Sequence, residues 1–236
     1  MYKNNSIAKD EYIKRLKALG ADAELLNKAR DIVPYPTGTS NTSGMSTMSA
    51  AYNPKYTYNN IGDLLQQPQQ RTYWCGPATA SEIVEAYLDS STYSQSYMAS
   101  VLGTTTDGTP WYTNRYPMAD ALNDVENSGW YIPYGTTVEA ATFKDHVTFD
   151  IDYNRGVAAN AYEVGGKTHP HLTGHPLDKT IYHWVAIDGY DRSGYLIHYA
   201  DSVHDSSVSW AAGVPAYSQI DYVTMARIMN GRGIIW

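Results

Sequence analysis

The chain has one cysteine in 236 residues. A lone cysteine excludes an intrachain disulfide framework and a cysteine-based zinc site. Phenylalanine is nearly missing, with two residues against 22 tyrosines and 6 tryptophans. Charged residues are only 17% of the chain, 17 basic against 24 acidic, for a formal net charge of −7. No basic run stands out, so neither nucleic acid nor an anionic membrane is expected as a partner. No apolar run reaches the roughly 18 residues that a membrane-spanning helix needs. The start, Met1 to Asn5, is polar and no apolar segment follows, so no signal peptide is read there. What is present is ample for a core: 43% hydrophobic residues, in a length that fits one large domain or two small ones. The low charge and abundance of Tyr, Ser, Thr, Asn and Gly resemble secreted bacterial proteins, and a secreted or cell-surface monomer is expected.

Residues 9–31 read as helical, because Tyr12, Leu16, Leu19, Ala23 and Leu26 form one apolar stripe. Pro34 and Pro36 end the segment, and residues 37–60 read as a Ser/Thr/Asn-rich linker. Residues 1–60 are thus expected to be an arm, either simply packed on the main domain or acting as a pro-segment. From 61 to 236 the chain reads as one α+β domain. Helices are expected from Ala78 to Leu88, over 94–102, from Met118 to Val125 and from Thr137 to Val147. Strands are expected from Trp130 to Pro133 at a sheet edge, from Gly156 to Val164, from Val208 to Trp210 and from Gly231 to Trp236. The strongest pattern is a hairpin, Thr180 to Tyr190 and Tyr195 to Asp201, around Asp191-Arg192-Ser193-Gly194.

Cys75 precedes Gly76-Pro77 and a helical run. Proline suits a first helical turn, so the thiol falls at a helix start, where the macrodipole favours an anion. Such a thiol is either a small buried apolar residue or a nucleophile. His183 shares a hairpin face with Asp201 if the hairpin loop holds three residues, with Gly194 in the left-handed position. A loop of two or four residues would put Asp201 on the other face. Read alone, His183 on an apolar strand face is more readily a core histidine, and Asp201 can be a strand-end turn residue. Together they supply what a thiol nucleophile needs: a base for its proton and a carboxylate to orient that base. Gln69, six residues before Cys75, has a side-chain amide suited to an oxyanion.

The run Tyr73-Trp74-Cys75-Gly76-Pro77-Ala78 with Gln69 resembles the nucleophile segment of the C39-like cysteine peptidases of the papain-like superfamily. Tyr182 to Tyr190 resembles the family's histidine strand, and Tyr199-Ala200-Asp201-Ser202 its aspartate segment. The resemblance spans roughly residues 64–236. It implies a papain-like fold, with a nucleophile helix on a mainly antiparallel sheet. It also implies Cys75 as nucleophile, His183 as base and acid, Asp201 as orienter and Gln69 as oxyanion donor, acting on a peptide or protein through a thioester without a cofactor. Ser202 stands where many members have proline, so a different local turn is expected. Trp74, Gly76 and Trp184 are expected to contribute to substrate contact. So are His171 and His175, from a loop with three histidines (His169, His171, His175) in which no nearby carboxylate or cysteine completes a metal set. Two other readings stay open: acyl or peptidyl transfer, and a peptide-binding module that keeps the fold without catalysis.

Overall fold

The computed structural model describes residues 58–61, 64–88, 90–191 and 195–236, all of them within one compact unit. The expected helical arm and linker before residue 58 lie outside the described residues. Within the described residues the architecture is α+β. The strands are β1 (Tyr58–Asn60), β2 (Pro133–Gly135), β3 (Val157–Glu163), β4 (Ile181–Asp191), β5 (Leu196–Ala200), β6 (Tyr217–Asp221) and β7 (Gly233–Ile235). The helices are α1 (Cys75–Leu88), α2 (Gln95–Val101), α3 (Pro117–Val125), α4 (Ala140–Asp152) and α5 (Tyr222–Met229).

Every strand pair is antiparallel. The sheet runs β2-β7-β3-β4-β5-β6, and β1 pairs with the last three residues of β4. β4 is the central strand. It is buried without a break from His183 to Asp191, because α1 and α4 pack against it. A strand covered on both faces carries apolar residues continuously rather than alternately. This explains why Trp184 and Ala186 are as buried as Val185 and Ile187.

The first half of α1, Gly76 to Val84, is fully buried. Its small residues (Gly76, Ala78, Thr79, Ala80 and Ser81) let the helix enter the core closely. Pro77 sits in its first turn, where no backbone donor is lost. The other helices start where local chemistry predicts. Ser94 caps α2 and Asp221 caps α5 by accepting from Tyr97 N–H and Thr224 N–H, and Pro117 opens α3. α4 begins at Ala140 rather than Thr137. The Val138 N–H is taken by Asn230 Oδ1, at 3.1 Å, beyond the end of α5. The edge strand near Trp130 lies a little later than expected, at Pro133–Gly135, and Pro133 is tolerated because it begins the strand. Val208–Trp210 is not a strand. It forms bends and a turn, with Val208 N–H held by Ser206 Oγ at 3.2 Å.

The hairpin loop is not of odd length. Asp191 pairs with Leu196, which leaves four residues between them. That register alone would turn Asp201 away from His183. A β-bulge at Asp188 corrects it: Gly189 pairs with His198, but Ile187 pairs with Tyr199. The extra residue flips the face of everything before it. One step past Ala186↔Ala200, Asp201 falls across from Val185, diagonal to His183 and on its face. The conformation expected for Gly194 lies outside the described residues.

Candidate active site

Cys75 is the first residue of α1 and keeps part of its surface exposed. N–H groups of a first helical turn have no intrahelical acceptor and face outward. The helix is set at this depth by Gly76. A Cβ there would stand 2.2 Å from Thr109 Oγ1, so any side chain would push the helix start away from the Thr109 segment.

His183 is buried near the start of β4. Its Nε2 lies 2.9 Å from Asp201 Oδ1, and its ring hydrogen-bonds the Cys75 sulfur. With Nε2 engaged by the carboxylate, Nδ1 is the nitrogen left for the thiol. Asp201, just past the end of β5, is fully buried. Its Oδ1 also accepts from Val203 N–H at 3.0 Å, and its Oδ2 lies 2.9 Å from His175 Nε2. Three of the four expected machinery residues thus form one line: sulfur, imidazole, carboxylate.

Gln69 lies in the segment leading to Cys75. Of the four glutamines between 66 and 70, it is the buried one. Its neighbours are tied elsewhere: Gln67 N–H to Glu82 Oε1 at 2.7 Å, and Gln70 N–H to Gln95 Oε1 at 2.9 Å. Gln69 Nε2 donates one hydrogen to Arg71 O at 2.8 Å, and a primary amide has a second to offer. Ser202 fixes the other end. Its carbonyl accepts Gln69 N–H at 2.8 Å, and its hydroxyl donates to Gln69 Oε1 at 3.3 Å. A proline at 202 would have no hydroxyl to give, so the local difference expected there is a tie between the aspartate and glutamine segments.

The Peptidase_C39 like family matches residues 59–227 of the chain. The chain belongs to this C39-like peptidase family. No curated protein matches it significantly.

The electrostatics of this C39-like chain follow from the line of contacts. Burial alone would raise the Cys75 thiol. The hydrogen bond and charge of His183, with backbone N–H groups of Trp184 and Gly76, outweigh that and bring the thiol below its ordinary value. Burial would lower His183, but the Asp201 charge and hydrogen bond, with the Cys75 sulfur, hold it well above the usual imidazole range. Burial would raise Asp201, but the two imidazoles hold it below the usual carboxylate range. All three shifts favour the ionised forms.

The residues expected to touch substrate divide. Trp74 is half-buried beside Cys75, with the Arg71 guanidinium 4.9 Å from its ring centre. Gly76 is buried and serves packing. Trp184 is 1% exposed, and its Nε1–H donates to Thr109 O at 3.2 Å; it offers substrate no surface. His171 and His175 do not line a cleft either. Their side chains are buried against Glu163, whose oxygens lie 3.0 Å from His171 Nδ1 and 2.6 Å from His175 Nδ1. The loop's own sequence offers no carboxylate to complete a set with this histidine cluster, yet the fold places two beside it. Glu163 and Asp201 are there, brought by β3 and the end of β5 rather than by the loop's own sequence. His175, His183 and Asp201 lie close enough to be compared with a metal set. Each histidine–carboxylate contact, however, already has the 2.9 Å length of a shared proton. Glu163 and Ser202 were missed as functional neighbours. The signal for Glu163 was available: a carboxylate closing the apolar face Val157, Ala159, Ala161 of a buried strand needs partners.

Proposed function

We propose that the protein is a cysteine peptidase that cleaves peptide bonds through a Cys75 thioester. The observation that carries this reading is the contact line from the Cys75 sulfur through His183 to Asp201, at the start of α1. The Cys75 thiolate attacks the scissile carbonyl carbon, forming a C–S bond. The carbonyl oxygen gains the negative charge and is met by the Cys75 backbone N–H and the second Nε2–H of Gln69. The C–N bond then breaks, and His183 gives its Nδ1 proton to the leaving amine. Water attacks the thioester, His183 takes its proton, and the C–S bond breaks to restore the thiol pair. Asp201 keeps the Nε2 proton in place and stabilises the imidazolium throughout. A module that only binds peptides would have no use for a sulfur within hydrogen-bond reach of a charged imidazole.

The test is a peptide-library digestion by wild type and Cys75→Ala, paired with iodoacetamide labelling at pH 6. The expected result is cleavage by the wild type only, with stoichiometric labelling faster than that of a small-molecule thiol. Cleavage that survives Cys75→Ala, or labelling no faster than the reference thiol, would overturn the reading.

A further inference from the structure

His175 lies between two buried carboxylates and touches both. Its Nδ1 is 2.6 Å from Glu163 Oε1, and its Nε2 is 2.9 Å from Asp201 Oδ2. The three side chains are at most 1% exposed. Such contacts need a proton each, because an ionised carboxylate only accepts and a neutral imidazole carries one N–H. The two carboxylates are already acceptors for other donors. Glu163 Oε2 takes Leu172 N–H at 3.1 Å and faces His171 Nδ1 at 3.0 Å. Asp201 Oδ1 takes Val203 N–H at 3.0 Å and faces His183 Nε2 at 2.9 Å. A carboxylate with several donors is stabilised in its ionised form, so the second proton belongs on the ring.

We propose that His175 is a positioning residue for the Cys75–His183 pair: an imidazolium, protonated on both ring nitrogens, that clamps the Asp201 carboxylate to Glu163 and draws part of its negative field away from His183. The proposal rests on the reading of Cys75 as a nucleophile. The clamp has two effects. Asp201, held at both oxygens, presents Oδ1 to His183 in one orientation. The His175 charge, its ring centre 5.3 Å from that of His183, also keeps His183 less basic than Asp201 alone would make it. The titratable groups around the clamp are Glu163 from β3, His171 from the loop before β4, His183 from β4, Asp201 and Tyr199 from the β5 side, and Glu82 and Cys75 from α1. Trp210 closes the remaining side with an edge-on ring at 4.6 Å and adds no charge.

The experiment is the pH dependence of Cys75 alkylation by iodoacetate in the full chain. The rate with this anion falls as His183 loses its proton, so the upper midpoint reports His183. His175→Gln keeps a donor for Asp201 and removes the positive charge. The expected result is an upper midpoint raised by about two pH units, from the loss of a unit charge at this range. Midpoints that coincide with wild type would mean that His175 only packs, and would overturn the proposal. A wild type that alkylates like a small-molecule thiol would instead fail the nucleophile reading. Nitrogen-15 spectra of the wild-type ring, assigned through its contact with Trp210, test His175 in that case and also if the variant does not fold. Two protonated ring nitrogens at pH 7 support the clamp, and one unprotonated nitrogen overturns it.

Discussion

Replacing Asp201 by asparagine removes one charge and one acceptor while keeping shape. The donors decide how the amide sits. Val203 N–H and His183 Nε2 converge on Oδ1, whereas His175 Nε2 alone meets Oδ2. The amide oxygen therefore takes the Oδ1 place and the NH2 faces His175, which must give up its Nε2 proton. His183 keeps its tautomer but loses a carboxylate at 2.9 Å. At an effective dielectric of about 20, that charge stabilises the imidazolium by about 6 kcal/mol. The lost proton of His175, with ring centres 5.3 Å apart, returns about 3 kcal/mol. The net of about 3 kcal/mol is roughly a hundredfold loss in the thiolate–imidazolium pair, and so in kcat/KM. The assay is kcat/KM on the best library peptide, with urea unfolding beside it. Asp201 is held below its ordinary range, so its contribution to stability is present above about pH 4 and is lost as pH falls through the folded value. The wild-type advantage in stability should thus shrink in acid. A rate within threefold of wild type would refute the coupling of Asp201 to His183. A loss beyond about 10⁴-fold would point to a wrong His183 tautomer and refute the proton transfer assigned to His175.

Three further outcomes are expected. Gln69→Ala should lower kcat by roughly 10²–10³-fold with KM little changed, as for the loss of one oxyanion donor; a loss confined to KM would remove it from that role. Gly76→Ala should destabilise the fold by about 1–3 kcal/mol and slow Cys75 alkylation, because a Cβ 2.2 Å from Thr109 Oγ1 must push α1 away; unchanged alkylation would mean that the helix start yields freely. Asp188 is raised by burial to about 7, against about 3.9 in an unfolded chain. Its stability contribution is full below about pH 4 and is lost as pH rises through about 7, by at most about 4 kcal/mol for three units. Asp188→Asn should flatten that fall in urea titrations at pH 5 and pH 8, and an unchanged slope would count against it.

The site was legible where residue chemistry is local. A Cys-Gly-Pro start marks a helix N-terminus whatever surrounds it, and α1 begins at Cys75. Alternation marked β3 and β4 to within a residue at each end. β6 and α5 were missed, because Tyr217–Asp221 pairs only at the sheet edge and is half exposed. Its pattern is not that of a buried strand. Choosing Gln69 among four glutamines was not decidable from composition. The choice is made by Glu82 and Gln95, which bind the neighbouring N–H groups, and by Ser202, which binds Gln69 itself. These partners come from three distant stretches of sequence.

The hairpin shows why a correct pairing can follow from a wrong loop. His183 and Asp201 share a face only if the register between them has the right parity, and the four residues between Asp191 and Leu196 give the wrong one. The bulge at Asp188 restores it. Asp188 is a buried carboxyl that follows the apolar run Val185 to Ile187, and burial works against its charge. Its place is explained by geometry further along. Moving the extra residue to either side of His183 decides whether the imidazole faces Asp201 or the opposite layer. Deleting Asp188 removes the extra residue but leaves Gly189 on His198 and Ile187 on Tyr199, so Ile181 to Ile187 should keep their face against β5 and His183 its contact with Asp201. Fast Cys75 alkylation in the Asp188 deletion is therefore the expected outcome. Slow alkylation in a deletion variant that still folds would show that the bulge does more than carry the register.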